Sequence, residues 1–197
     1  MSRITLDRRN LLIATFLIEG ALIFVSLIWA KHRQLILFNR FDYVYIAYGV
    51  LLCFPLFLLN AIFFAKESSK WEAILKCQEF KDEIAKPLAD KLDIGSAFIV
   101  SALAGFGEEM FCRGILQTEF GIVIASAAFA ILHFGSAVKH YLFIAALYLL
   151  IGFYFGFIYL FSQSIWTPII VHVVYDFVAI LYLRYFYEKP SPNSNIR

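Results

Sequence analysis

Seven ionisable side chains stand inside otherwise apolar runs of this 197-residue chain: Glu19, Glu108, Glu109, Arg113, His133, His172 and Asp176. A charged side chain at a bilayer centre costs at least ~2.5 kcal/mol on insertion scales, so each of these needs a partner or a task. In Gly105-Phe106-Gly107-Glu108-Glu109-Met110-Phe111-Cys112-Arg113, Glu109 and Arg113 are four positions apart, so on a helix they meet and compensate each other's charge. Glu108 is turned by ~100° from its neighbour and faces another wall, where a carboxylate in a low-dielectric cavity is suited to take a proton from water. Phe129 and His133 share a helix face, as do His172 and Asp176, so three helices offer Glu, His, His and Asp. Together they are equipped for acid–base hydrolysis. Ligation of Zn²⁺ through nitrogen and oxygen is a second reading, and a structural acidic cluster with histidines hydrogen-bonded between helices is a third.

The elements that must position these groups are membrane spans. Hydrophobic residues make up 61% of the chain, aromatic residues 18% and charged residues only 16%, far from the balance of a soluble domain. The net charge of +2 leaves no basic footprint for nucleic acid. Six apolar runs are expected to form an all-α, multi-pass transmembrane bundle: Leu11 to Ala30, Tyr43 to Ala65, Ile94 to about Arg113, Phe120 to Phe134, Tyr141 to Phe161, and Ile165 to Phe186. The fourth is short for a bilayer and points to a broken or re-entrant stretch around Gly114 to Thr118, tolerated only where protein covers it. One transmembrane domain over residues 1–189 is expected, with a disordered tail over 190–197.

Arg3, Arg8 and Arg9 before the first run resemble the start of a signal peptide, but Glu19, the full span length and the absence of a small-residue cleavage pattern argue for a retained span. With a cytoplasmic amino terminus, thirteen basic residues fall inside and only Lys31, Arg33 and Arg40 outside, so the positive-inside rule places both termini in the cytoplasm. Lys66 to Asp93, carrying Trp71, Ile74, Leu75 and Phe80 at helical spacing before Pro87, reads as an interfacial amphipathic helix. It is either a solvated connector on the headgroups, the favoured reading, or a gate or docking lip. Cys53, Cys77 and Cys112 are scattered and read as packing residues.

Counting ~1.5 Å per residue from the cytoplasmic ends puts Glu108 about 20 Å deep but His133 only about 10 Å, so a tilted third span or a start nearer Ile99 is needed to bring them level. Gly105 and Gly107, and Gly152 with Gly156, supply small faces for close helix approach. Glu19 has three candidate settings: Arg113, a wet chamber, or a hydrogen bond to a neighbouring helix, the last favoured.

Glu108-Glu109-x-x-x-Arg113, Phe129-x-x-x-His133 and His172-x-x-x-Asp176, in this order and each on an apolar segment, resemble the CPBP family of intramembrane glutamate endopeptidases. That family includes the CAAX prenyl proteases and bacterial homologues of the abortive-infection type. The likeness runs from about Pro87 to Leu183. It implies an intramembrane, metal-independent endopeptidase without a cofactor, acting on a membrane-associated peptide or protein in a bacterial cytoplasmic membrane. It implies also that Glu108 and His133 activate the attacking water, that His172 and Asp176 stabilise the oxyanion, and that Glu109 and Arg113 support them. The family's motif takes Asn or Asp at this position; the better-studied prenyl proteases carry Asn where this chain has Asp176, and an ionised aspartate cannot donate to an oxyanion. Asp176 is therefore either a neutral acid or the partner of a protonated His172.

Other function classes are separable. A metal-dependent hydrolase would need the Glu108, His133, His172 and Asp176 cluster to bind Zn²⁺, although the chain has no HExxH helix. A transporter would show an internal repeat or matched broken helices, and neither is present. A non-catalytic scaffold or immunity protein would keep its phenotype when Glu108 or His133 is replaced.

Overall fold

The computed structural model describes residues 7–39, 41–64, 72–134 and 142–188, and among these all regular structure is helical. Helix α1 covers Arg8–Arg33, with the Asp7 carboxylate accepting from the Asn10 N–H at 2.7 Å and Lys31, His32 and Arg33 in its last turn, where cations suit the carbonyl end. Its burial is inverted relative to a helix in water. Glu19, Ser26 and Ala30 point inward, while Phe16, Leu17, Ile18, Phe24 and Ile28 are exposed. An element that hides its polar and small residues and presents large apolar ones has lipid as its solvent.

Among the described residues, five helical stretches are long and apolar enough to cross a membrane: Arg8–Arg33, Val44–Ile62, Ile94–Phe120, Leu142–Ser162 and Trp166–Tyr185. The sixth expected span is the shorter apolar helix α8, Ile122–Phe134. The protein is an all-α, multi-pass membrane bundle. The second span is interrupted at Cys53. It consists of α2, Val44–Leu52, and α3, Phe54–Phe64, because Pro55 has no N–H to give and its ring crowds the carbonyl of Leu51.

The expected end of the third span near Arg113, with a re-entrant stretch at Gly114–Thr118, is not what forms. Helix α6, Ile94–Glu109, runs on through a wider π-helical segment, π2, Met110–Gln117, into the short α7, Thr118–Phe120. The chain turns only at Gly121, whose φ of +86° is closed to side-chain-bearing residues. The π segment docks against α9, Leu142–Ser162, by a matched pair: Arg113 Nη2 donates to the Gly152 carbonyl and Gln117 Nε2 to the Gly156 carbonyl, both at 2.9 Å. Both spacings are four residues, and glycine lets the helices come close enough. A Cβ on Gly152 would lie 3.0 Å from the Cα of Ser126 on α8.

The charged segment is helical and packs on the bundle. From Glu72 it forms α4, Glu72–Phe80, a π-helical turn π1, Lys81–Ala85, and α5, Lys86–Ala89. The i to i+5 bonding of π1 carries the helix past the proline. Trp71 and the rest of 65–71 lie outside the described residues, as does the tail of 190–197. Cys77 packs on Ile144, Ala145 and Leu147 of α9, and burial pushes its thiol up to about 11, so it behaves as a packing group. Arg184 of the last helix, α10, Trp166–Tyr185, donates to the carbonyls of Ala89 and Asp90, and the Tyr187 hydroxyl donates to Asp82 at 2.6 Å. Arg8 pairs with Asp93 at 2.7 Å. These contacts gather α1's start, the charged helix and α10's end on one face.

Candidate active site

The depth mismatch disappears once the hairpin between π2 and α8 is counted from Gly121. Glu108 lies thirteen positions before that glycine and His133 twelve after it, so at ~1.5 Å per residue the two are level to within a few ångström. Helix α8 spans about 20 Å, and His133 stands at its carboxyl end. Neither a later start nor a special tilt of the third span is needed: α6 begins at Ile94, capped by Asp93.

One half of the site is sealed. Glu109 and Arg113 have no exposed side-chain surface and stand 3.2 Å apart, Nε to Oε2. The guanidinium also lies 4.7 Å from the Phe129 ring centre and 5.4 Å from that of Phe155, a sandwich that suits a weakly hydrated planar cation. The other Glu109 oxygen, Oε1, meets His172 Nδ1 at 2.9 Å. A carboxylate held by arginine on one oxygen therefore takes the histidine Nδ1–H on the other, which fixes ring and tautomer. His172 Nε2 then faces Asp176 Oδ2 at 3.4 Å, and Phe155 stacks on its ring at 5.0 Å.

The other half is open. His133 Nδ1 lies 2.9 Å from the carbonyl oxygen of Phe129. A carbonyl can only accept, so Nδ1 carries the hydrogen and, in the neutral ring, Nε2 presents a lone pair. That lone pair faces Glu108 Oε2 at 3.7 Å, beyond hydrogen-bond length. Two proton acceptors thus confront each other on a partly accessible wall: the side chains are 23% exposed for His133, 12% for Glu108 and 32% for Asp176. A molecule with two O–H donors can satisfy both acceptors at once.

His133, His172 and Asp176 line a cavity of about 370 Å³, large enough for a short peptide segment. Its walls are mostly apolar, with Ile84, Leu88 and Leu92 from the charged segment and Phe129, Tyr148 and Phe155 deeper in. The site residues named from sequence therefore converge in two pairs, Glu108 with His133 and His172 with Asp176, with Phe129 between the two imidazoles at 4.6 and 6.0 Å. Among the described residues, no three or more His, Cys, Asp or Glu side chains are arranged to hold a metal ion.

Glu19 is buried, and its Oε2 has no hydrogen-bond partner among the described residues. It presses on Gly107, where a Cβ would come 2.5 Å from Oε2 and 3.1 Å from the Glu19 carbonyl oxygen. Spacing did not mark several residues around the site. Gln117 follows Arg113 by four and could have been matched to Gly152-x-x-x-Gly156. Tyr148, whose ring lies 4.5 Å from that of His133, and Asn60, which donates to the Tyr175 hydroxyl at 3.2 Å, carry no signal among 11 tyrosines and a long apolar run.

Fold and site define a class: an all-α membrane protein whose spans hold glutamates and histidines against one another beneath a cavity. Residues 91–178 match the type II CAAX prenyl endopeptidase, Rce1-like family. All of α6, π2 and α8, with most of α10, lies within the match, whereas Glu19 and Asn60 lie outside it. The uncharacterized protein YpbD of Bacillus subtilis (strain 168) is 34% identical over 102 residues, covering 52% of this chain. The chain spans about half the length of that relative, 53% of it. No solved structure matches.

Proposed function

We propose that the chain is an intramembrane glutamate endopeptidase that hydrolyses a peptide bond in a membrane-associated peptide or protein without a metal. The observation that carries this reading is the facing pair of acceptors, Glu108 Oε2 and His133 Nε2 at 3.7 Å, beside a cavity that also receives His172 and Asp176. A water whose two hydrogens point at these acceptors has its lone pair turned outward to a substrate carbonyl. Glu108 takes the proton as the oxygen attacks, His133 holds the water in line, and the same proton passes from Glu108 to the leaving nitrogen. His172, positioned by Glu109 and Arg113, faces the developing negative charge together with Asp176.

The face that gathers the charged helix and both ends of the described bundle is the basic-rich one, so the positive-inside rule directs it to the cytoplasm. The cavity, walled by Ile84, Leu88 and Leu92, then takes substrate from the cytoplasmic side, and the charged helix is its lip. The test is a comparison of peptide termini in membranes from cells expressing the wild type or Glu108→Ala. New termini present only with the wild type support the reading. Identical termini, with the variant inserted normally, leave a scaffold role in its place.

A further inference from the structure

A peptide that enters this cavity leaves water for walls that are mostly apolar. Each backbone N–H or C=O it brings in is costly to bury without a new hydrogen bond. The catalytic groups are committed elsewhere: His133 gives its Nδ1–H to Phe129 and turns Nε2 toward Glu108, and both ring nitrogens of His172 face carboxyl groups. Partners for the peptide groups beside the scissile bond must come from other side chains.

Asn60 and Tyr175 are such a pair. Asn60 is the one polar side chain of α3, and a polar group in an apolar span needs a partner or a task. Its Nδ2 donates to the Tyr175 hydroxyl oxygen at 3.2 Å. Both residues are half-buried and line the cavity that receives His133, His172 and Asp176. Tyr175 immediately precedes Asp176 on α10, and its ring is held against that of Phe57 with centres 5.5 Å apart. The hydrogen bond between the pair leaves two functions unused. A phenol both accepts and donates, so an oxygen that accepts from Asn60 still has its own O–H to give, and no described group receives it. Nor does any described group donate to Asn60 Oδ1. One donor and one acceptor, tied to each other, therefore stand on the cavity wall, and a peptide backbone offers the complement, one C=O and one N–H.

We propose that Asn60 and Tyr175 form a backbone-binding subsite, in which the Tyr175 O–H donates to a substrate carbonyl and Asn60 Oδ1 accepts a substrate N–H. This rests on the peptidase reading above. Both hydrogen bonds go to peptide groups that are not cleaved, so they are made alike in the ground state and the transition state and set KM rather than kcat. They read main chain, as when a strand is added to a sheet edge, and hold an extended segment whatever its side chains. Asn60 comes from a span outside residues 91–178, so this part of substrate binding is supplied by the amino-terminal half of the chain.

The test uses the full chain in phosphatidylcholine nanodiscs and the internally quenched peptide that the wild type cleaves fastest from a mixed-sequence library. Tyr175→Phe keeps the ring and Asn60→Leu keeps the volume, and each is expected to raise KM by about 10-fold with kcat within about threefold. The second readout is a set of peptides in which one uncleaved amide at a time is an ester, which removes a single N–H. At one position the ester is expected to raise the wild-type KM by about 10-fold, and Asn60→Leu is expected to treat that ester and the parent amide alike to within about twofold. An Asn60–Tyr175 bond that only joins two helices moves neither readout, and the ester series on the wild type needs no variant to fold. A wild-type KM in either variant, a loss confined to kcat, no ester position sensed by the wild type, or an unchanged ester penalty in Asn60→Leu overturns the subsite and leaves the peptidase reading standing. A wild type that cleaves no library peptide overturns the peptidase reading and this inference with it.

Discussion

Glu108 and Glu109 are neighbours in sequence and opposites in structure. Glu109 is fully enclosed, with Arg113 on one oxygen and His172 on the other; Glu108 is partly exposed and faces an imidazole lone pair at a distance no hydrogen bond spans. One position along a helix, a rotation of ~100°, separates a group that is structurally committed from one left reactive. The sealed half sets the orientation of the open half through His172, Phe129 and the Arg113 contact to Gly152. Damage to the two halves must therefore look different.

The largest effect belongs to the sealed half. Arg113→Ala leaves Glu109 buried without its cation and empties the space between Phe129 and Phe155, and is expected to destabilise the fold by about 3–5 kcal/mol. Steady-state protein level and thermal unfolding in detergent check this; a variant as stable as wild type breaks the contrast between the halves. Gly107→Ala comes next. The added methyl meets Glu19 backbone as well as its carboxyl, so the first span must move, at a cost of about 1–3 kcal/mol. Unfolding of Gly107→Ala against the double variant Gly107→Ala/Glu19→Ala tells whether the carboxyl or the backbone resists, and no loss in the single variant denies the close approach.

Asp176→Asn probes the open half, where a neutral amide replaces a group 3.4 Å from His172. It is expected to keep peptide cleavage within about tenfold of wild type, because the amide supplies the donor that an ionised aspartate lacks. Loss as complete as in Glu108→Ala contradicts a donor role there. The smallest effect is at the start of α6, the helix that carries Glu108. The Ser96 side chain and backbone N–H hold the exposed Asp93 carboxyl below its ordinary range. The capping contribution is therefore complete above the unfolded pKa of ~3.9 and is lost as pH falls through the lower folded value. Asp93→Ala is expected to unfold slightly earlier than wild type at pH 7, with the gap closing under strong acid; a gap that widens there contradicts the cap.

The sequence made the bundle and the convergent residues legible because both follow from short-range rules. Apolar length gave the spans, and four-residue spacing gave the Glu109–Arg113 and His172–Asp176 pairs. What it hid was set between helices or by backbone choices that leave the composition unchanged. The Glu109–His172 bond joins positions far apart in the chain and has no spacing to announce it. The π segment from Met110 carries the same residues as an α-helix would, so the third span was expected to stop near Arg113. The π1 turn before Pro87 has no signature in the residue types. His133 and Glu108 were counted from separate span ends, whereas the Gly121 turn fixes their relative level.

The central claim is that Glu108 and His133 together activate water for peptide hydrolysis. The most direct measurement is the cleavage rate of purified full chain on an internally quenched peptide, comparing wild type with Glu108→Gln and His133→Ala alongside their thermal unfolding. Each variant is expected to lose at least about 100-fold in kcat/KM while unfolding within a few degrees of wild type. Cleavage by either variant at the wild-type rate, in protein that folds normally, contradicts the account.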